Sequence, residues 1–174
     1  MNIPNIITVI RFALIPFFGY FLFIQHYYVA VTLFLLGGLT DVLDGYIARK
    51  YNMITPWGKV ADPIADKLMQ ITALVMLTLQ TKIDSVILII VVAKEVFMVA
   101  GGILLYKKDN YVVSANWYGK AATVIFYLAI ILAIFNVPYS RIFVFIAVLF
   151  TLFAFFMYSM DFRKITTDSG KKSN

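Results

Sequence analysis

The sequence contains no cysteine and a single histidine, and only nine of its 174 residues are Asp or Glu. Without cysteine there is no disulfide framework, no thiol nucleophile and no thiolate metal site. His26 stands in a short polar break beside Gln25, Tyr27 and Tyr28, so a multi-histidine metal centre and a histidine nucleophile are excluded as well. Charge of either sign is scarce, at 14% of residues, whereas 62% are hydrophobic and the mean hydropathy is +0.88. That balance excludes a soluble domain and predicts an integral membrane protein. The net charge is +6. Its Lys and Arg residues flank apolar runs instead of forming one patch, which suits anionic lipid headgroups and not nucleic acid.

Six apolar runs approach the roughly 20 helical residues that cross a hydrocarbon core. They lie near 6–24, 29–48, 58–80, 84–106, 116–135 and 139–160, with short polar breaks between them. The predicted fold is therefore all-α: a polytopic membrane protein of six transmembrane helices with a cytoplasm-facing polar cavity. An even number of spans puts both termini on one side. That side, with the second and fourth connections, carries Arg49, Lys50, Lys59, Lys107, Lys108, Lys120, Arg163, Lys164, Lys171 and Lys172, against Lys82 and Arg141 opposite. The positive-inside rule then predicts cytoplasmic termini. Residues 1–162 form the membrane domain on this reading, and 163–174 a basic, polar cytoplasmic tail, disordered at its end and touching membrane lipids at most. The first helix contains Pro4, Arg11 and Pro16 and lacks a small-residue cleavage site, so it is expected to be retained. Asn2, Asn5, Thr8 and Arg11 recur every three residues, which predicts one polar helical face turned toward the cavity.

The acidic residues are concentrated. Asp41, Asp44, Asp62 and Asp66 fall within 26 positions. A carboxylate at the centre of a membrane helix costs on the order of 2.5 to 3.5 kcal/mol, so four of them need a partner, and a divalent cation is the obvious one. At about 100° per residue, Asp41, Asp44, Gly45 and Ala48 share a helical stripe, and Asp62 and Asp66, four apart, share another. Thr55 is a predicted N-cap and Pro56 a first helical residue, so one helix ends near Lys50 and the next starts near Thr55. Two antiparallel helices would then aim two carboxylates each at one cavity. Hard oxygen ligands suit magnesium or manganese. The spacing alone also admits polar glue between helices or the ion path of a transporter.

The ordered pattern narrows this choice. It reads Asp, two residues, Asp-Gly, two residues, Ala-Arg, eight residues, Gly, three residues, Asp, three residues, Asp. Asp41, Asp44, Gly45, Ala48, Arg49, Gly58, Asp62 and Asp66 resemble the signature of the CDP-alcohol phosphotransferase family at every fixed position. The resemblance implies transfer of a substituted phosphate from a CDP-linked donor to an alcohol, with release of CMP. It also implies two divalent ions on Asp41, Asp44, Asp62 and Asp66, donor binding by Asp41, Gly45, Ala48, Arg49 and Gly58, and Asp66 as the general base. Family members are commonly dimeric, so a homodimer is implied too.

Arg11, Lys67 and Lys94 lie inside apolar runs and need partners, either in ion pairs between helices or in a phosphate group on a substrate. With Lys120 at the start of the fifth run, Lys94 and Arg11 are the candidate acceptor-binding residues. The opening NIPNIITVIR and the run DPIADK are most similar to the bacterial phosphatidylglycerophosphate synthases, which join CDP-diacylglycerol to glycerol 3-phosphate. Both stretches also resemble cardiolipin synthases. Lys94 stands where glycerol-phosphate enzymes commonly have Arg, and Ala122 where they have a second Lys. The runner-up acceptor is accordingly phosphatidylglycerol, and the alternative of another class is an ion-binding membrane transporter.

Overall fold

The computed structural model describes residues 2–51, 53, 55–109 and 117–171. Six helices follow one another: α1 (Ile3–Phe23), α2 (Tyr27–Lys50), α3 (Pro56–Leu79), α4 (Ser85–Asp109), α5 (Trp117–Ile134) and α6 (Ser140–Lys171). The predicted runs and these helices agree to within about three residues except at the end of α6, which continues as helix to Lys171 where a break near 160 was expected. Most of the predicted tail is thus the last turns of α6, and its final residues, 172–174, lie outside the described residues. The predicted connection 107–116 likewise lies outside them from 110 onward.

Among the described residues, four helices are long and apolar enough to cross a bilayer: α1, α2, α5 and Ser140–Met157 of α6. The chain is an integral membrane protein. Helix α3 falls short of that standard, since Lys59, Asp62, Asp66 and Lys67 interrupt its N-terminal half.

Three connections close in the same way. Gln25, Thr81 and Asn136 take positive φ values of 61°, 58° and 53° at the ends of α1, α3 and α5. In each case the next amide donates back to a carbonyl five residues earlier: His26 to Phe21, Lys82 to Leu77, and Val137 to Leu132. This is the Schellman arrangement that satisfies the orphan carbonyls of a helix end, made here without glycine. It reverses the chain within a few residues and stacks α1 on α2 and α5 on α6 as antiparallel hairpins. Three long-range bonds tie down this end of the bundle. Gln80 donates to the Leu22 carbonyl at 2.6 Å, Lys82 to that of Ile134 at 2.6 Å, and Arg141 to that of Thr81 at 2.9 Å.

The core is apolar and lies between these turns and the acidic residues. Phe18, Leu22, Phe34, Met69, Leu74, Leu77, Phe126 and Ile130 are shut off from the surface. Alanines on three helices (Ala65 and Ala73 of α3, Ala129 and Ala133 of α5, Ala147 of α6) are also buried. Small residues let helix backbones approach in a bilayer, where lipid offers no hydrophobic drive for packing. The glycine pair of α2 does the same for single side chains. A Cβ on Gly37 would sit 2.6 Å from the Met69 methyl, and one on Gly38 2.8 Å from the Tyr127 ring.

Candidate active site

The start of α3 is set by its cap. Thr55 accepts the Gly58 amide at 3.0 Å and donates its own hydroxyl to the Asn5 side-chain oxygen at 2.9 Å, while Pro56 opens the helix. Thr55 thereby fixes both the entry of α3 and its contact with α1. Gly58 keeps this junction open. A Cβ there would lie 3.2 Å from Asn5 Oδ1 and 3.7 Å from Asp62 Oδ2.

The predicted polar face of α1 meets the acidic residues directly. Thr8 donates to Asp62 Oδ1 at 2.5 Å, and Arg11 divides its guanidinium between Asp41 Oδ1 at 2.8 Å and Asp44 Oδ2 at 2.5 Å. Arg11 and Asp44 are each 1% exposed, whereas Asp41 keeps 40% of its side chain open. Two turns of α1 therefore address carboxylates on both α2 and α3. On sequence Arg11 was a candidate for either an acceptor phosphate or an ion pair between helices; the structure shows it paired with Asp41 and Asp44, two anions on one buried guanidinium. Arg49 is exposed, with its guanidinium nitrogens 3.7 and 3.9 Å from where a Cβ on Gly45 would stand.

Asp66 has a different set of neighbours. Its Oδ1 accepts the Tyr127 hydroxyl at 2.9 Å, its Oδ2 accepts Gln70 Nε2 at 2.9 Å, and Lys67 lies 3.7 Å from Oδ2. Lys67 also reaches Glu95 at 3.5 Å, and Lys94 pairs with the same Glu95 oxygen at 2.7 Å. Glu95 is buried between the two ammonium groups, and neither of its oxygens accepts a well-aligned hydrogen bond. The two lysines face a cavity of about 200 Å³, which Lys120, Gln70, Thr123 and Thr151 also line. Lys94 and Lys120, both candidate acceptor residues, thus line one cavity together with Lys67, and Gln70 links the cavity wall to Asp66.

Among the described residues, no three acidic side chains stand close enough to share one cation. The polar side chains of α1 lie between them. The donor set nonetheless fits magnesium or manganese: hard carboxylate oxygens from two helices, two of which already hold a cationic group, Arg11, at hydrogen-bonding distance.

A sequence profile of CDP-alcohol phosphatidyltransferases matches residues 1–153. The chain belongs to that family. Its relatives include three bacterial proteins, each named CDP-diacylglycerol–glycerol-3-phosphate 3-phosphatidyltransferase. The one from Aquifex aeolicus is 32% identical over 148 residues, covering 82% of this chain and 83% of the relative. That of Bacillus subtilis is 34% identical over 158 residues, covering 81% of each. The Rickettsia bellii protein is 39% identical over 108 residues, with 58% of this chain and 56% of the relative aligned. The matched region of this CDP-alcohol phosphatidyltransferase holds every residue of the acidic motif and the three lysines of the cavity described above.

Sequence reasoning missed Gln70 and Tyr127. Gln70 had a local signal, being four residues after Asp66 on one helical face. Tyr127 had none, since 61 residues separate it from Asp66 and aromatics are common throughout the spans.

Proposed function

We propose that the protein transfers the phosphatidyl group of CDP-diacylglycerol to a hydroxyl of glycerol 3-phosphate and releases CMP. The observation that carries the acceptor assignment is the cavity where Lys67, Lys94 and Lys120 gather beside Asp66. Three lysines lining one small cavity suit a phosphate monoester, and Asp66, one hydrogen bond behind the wall residue Gln70, suits the hydroxyl that must lose a proton. The names and extents of the relatives support the same reading.

In this mechanism Lys94 and Lys120, aided by Lys67, hold the acceptor phosphate. Asp66 takes the proton of the attacking hydroxyl, whose oxygen forms a bond to the phosphorus bearing diacylglycerol. The bond from that phosphorus to the oxygen of CMP breaks, and CMP leaves with the electron pair. Arg49 pairs with donor phosphate, while Gly45, Ala48 and Gly58 leave room for the cytidine end. Asp41, Asp44, Asp62 and Asp66 would hold two magnesium or manganese ions, which supply positive charge to the pyrophosphate and to the departing CMP. Arg11 keeps Asp41 and Asp44 oriented toward that donor site.

The charge asymmetry of the connections supports cytoplasmic termini and six crossings, with the acidic residues near the cytoplasmic face, where CDP-linked donor and soluble acceptor meet. CMP release by detergent-solubilised protein, run in parallel with glycerol 3-phosphate and phosphatidylglycerol, tests the proposal. Release dependent on glycerol 3-phosphate is expected. Release only with phosphatidylglycerol would transfer the reading to cardiolipin synthesis, and ion flux without CMP to a transporter.

A further inference from the structure

Each oxygen of Asp66 accepts a hydrogen bond from a neutral donor, the two donors coming from different helices, while the Lys67 ammonium stands farther off, 3.7 Å from Oδ2. Gln70 is one turn along α3 from Asp66, so its amide approaches Oδ2 from within the same helix. Tyr127 comes from α5 and meets Oδ1 across the bundle. A carboxylate held at one oxygen can still rotate about its Cβ–Cγ bond, whereas one held at both has its plane fixed. Each oxygen keeps a second lone pair, which leaves the group able to accept a proton.

The tyrosine is itself held in place. Its ring stacks on Phe34 with centroids 4.4 Å apart and planes 20° from parallel, and Phe34 stacks on Phe18 at 5.3 Å and 23°. Phe18 and Phe34 are fully buried. One turn farther along α2 from Phe34, the Tyr127 ring fills the space a side chain on Gly38 would take. Two aromatic rings in line and a close-lying glycine thus position one hydroxyl, although an aromatic in this span needs no hydroxyl to pack.

We propose that Tyr127 is a positioning residue for the transfer reaction: its hydroxyl, with the Gln70 amide, locks the Asp66 carboxylate in the plane from which it takes the acceptor proton. This rests on the reading of Asp66 as the general base. A preoriented base is effective because its geometry needs no rearrangement in the transition state. Tyr127 does not line the lysine cavity, so loss of its hydroxyl is expected to lower turnover and not acceptor affinity.

The test is a cycle of Tyr127→Phe and Asp66→Asn on the full chain in detergent or nanodiscs, read by CMP release. Tyr127→Phe keeps the ring, its stack on Phe34 and its fit against Gly38. The expected result is a fall in kcat of about tenfold, a fraction of the 10²–10⁴ that a general base contributes. The KM values for both substrates should stay within about twofold, with an unchanged melting temperature. In the Asp66→Asn background the second change should have no further effect, since both act through one carboxylate. A Tyr127→Phe kcat within twofold of wild type overturns the proposal, as does an equal loss in both backgrounds or a loss that follows a lowered melting temperature. Asp66→Asn with full turnover overturns the base assignment and the positioning role together. An inactive Asp66→Asn beside a normal Tyr127→Phe overturns the positioning role alone. Wild-type protein that releases no CMP with either acceptor overturns the proposed function, and the role of Tyr127 with it.

Discussion

The two ends of the bundle use their cations for opposite purposes. At the turn end, Lys82 donates to the Ile134 carbonyl and sits 4.0 Å from the Tyr27 ring centroid, and Arg141 donates to the Thr81 carbonyl. Those partners are neutral, and the gain is closure of helix ends whose carbonyls would otherwise lack donors. At the acidic end, Arg11, Lys67 and Lys94 all face carboxylates. There the charges on both partners are costly in a bilayer, and their pairing leaves Glu95 without one well-aligned hydrogen bond. A structure optimised only for stability would resemble the turn end throughout. On the proposed function, the acidic end retains its charges because they act on substrates.

Substitutions at the acidic end should change activity most. Asp41→Ala removes a half-open carboxylate from the donor site and is expected to lower CMP release by about a thousandfold, the scale of losing one electrostatic contact to a transition state. Turnover near wild type in a radiolabelled assay would remove Asp41 from the site. Next in size is Arg11→Gln, which strands Asp44 as a buried, unpaired anion. The expected cost in metal-free protein is about 3–5 kcal/mol of stability, seen as a lower melting temperature in chelator. Magnesium or manganese should restore much of it, and a melting temperature that ignores the metal would contradict the assignment of Asp41 and Asp44 as its ligands.

Lys94→Ala should act on one substrate alone. Its KM for glycerol 3-phosphate is expected to rise about tenfold while that for CDP-diacylglycerol holds, the pattern of binding lost at a single site. Equal changes in both would return Lys94 to a purely structural pairing with Glu95. The smallest effect belongs to the turn end. Lys82→Met should cost about 1 kcal/mol through the lost helix-end and ring contacts, with CMP release per folded molecule unchanged. A large drop in specific activity there would erase the distinction between the two ends.

Much of the architecture was legible locally. Runs of apolar residues fixed the helices, Thr55 and Pro56 marked the start of α3, and the spacing from Asp41 to Asp66 gave the acidic motif. The triplet spacing of Asn5, Thr8 and Arg11 correctly foretold a polar face on α1, yet not what it would meet. Arg11 stayed open between an ion pair and a substrate phosphate because a cation within a span demands an anion, and spacing does not say which. Its actual partners are 30 and 33 residues away. The same limit hid Tyr127, and the helical continuation of α6 past residue 160 was missed because polar composition marks a membrane boundary and not a helix end.

The Arg11 pairing also bears on how the chain is made. Helix α2 entering the bilayer by itself would carry Asp41 and Asp44 with no cation opposite, and α1 would carry Arg11 with no anion. A break of only three residues, 24–26, joins the two helices, so they can leave the translocation machinery as one hairpin with most of this charge already matched. Their pairing neutralises the first hairpin within itself, and α3 adds Asp62 to it through Thr8.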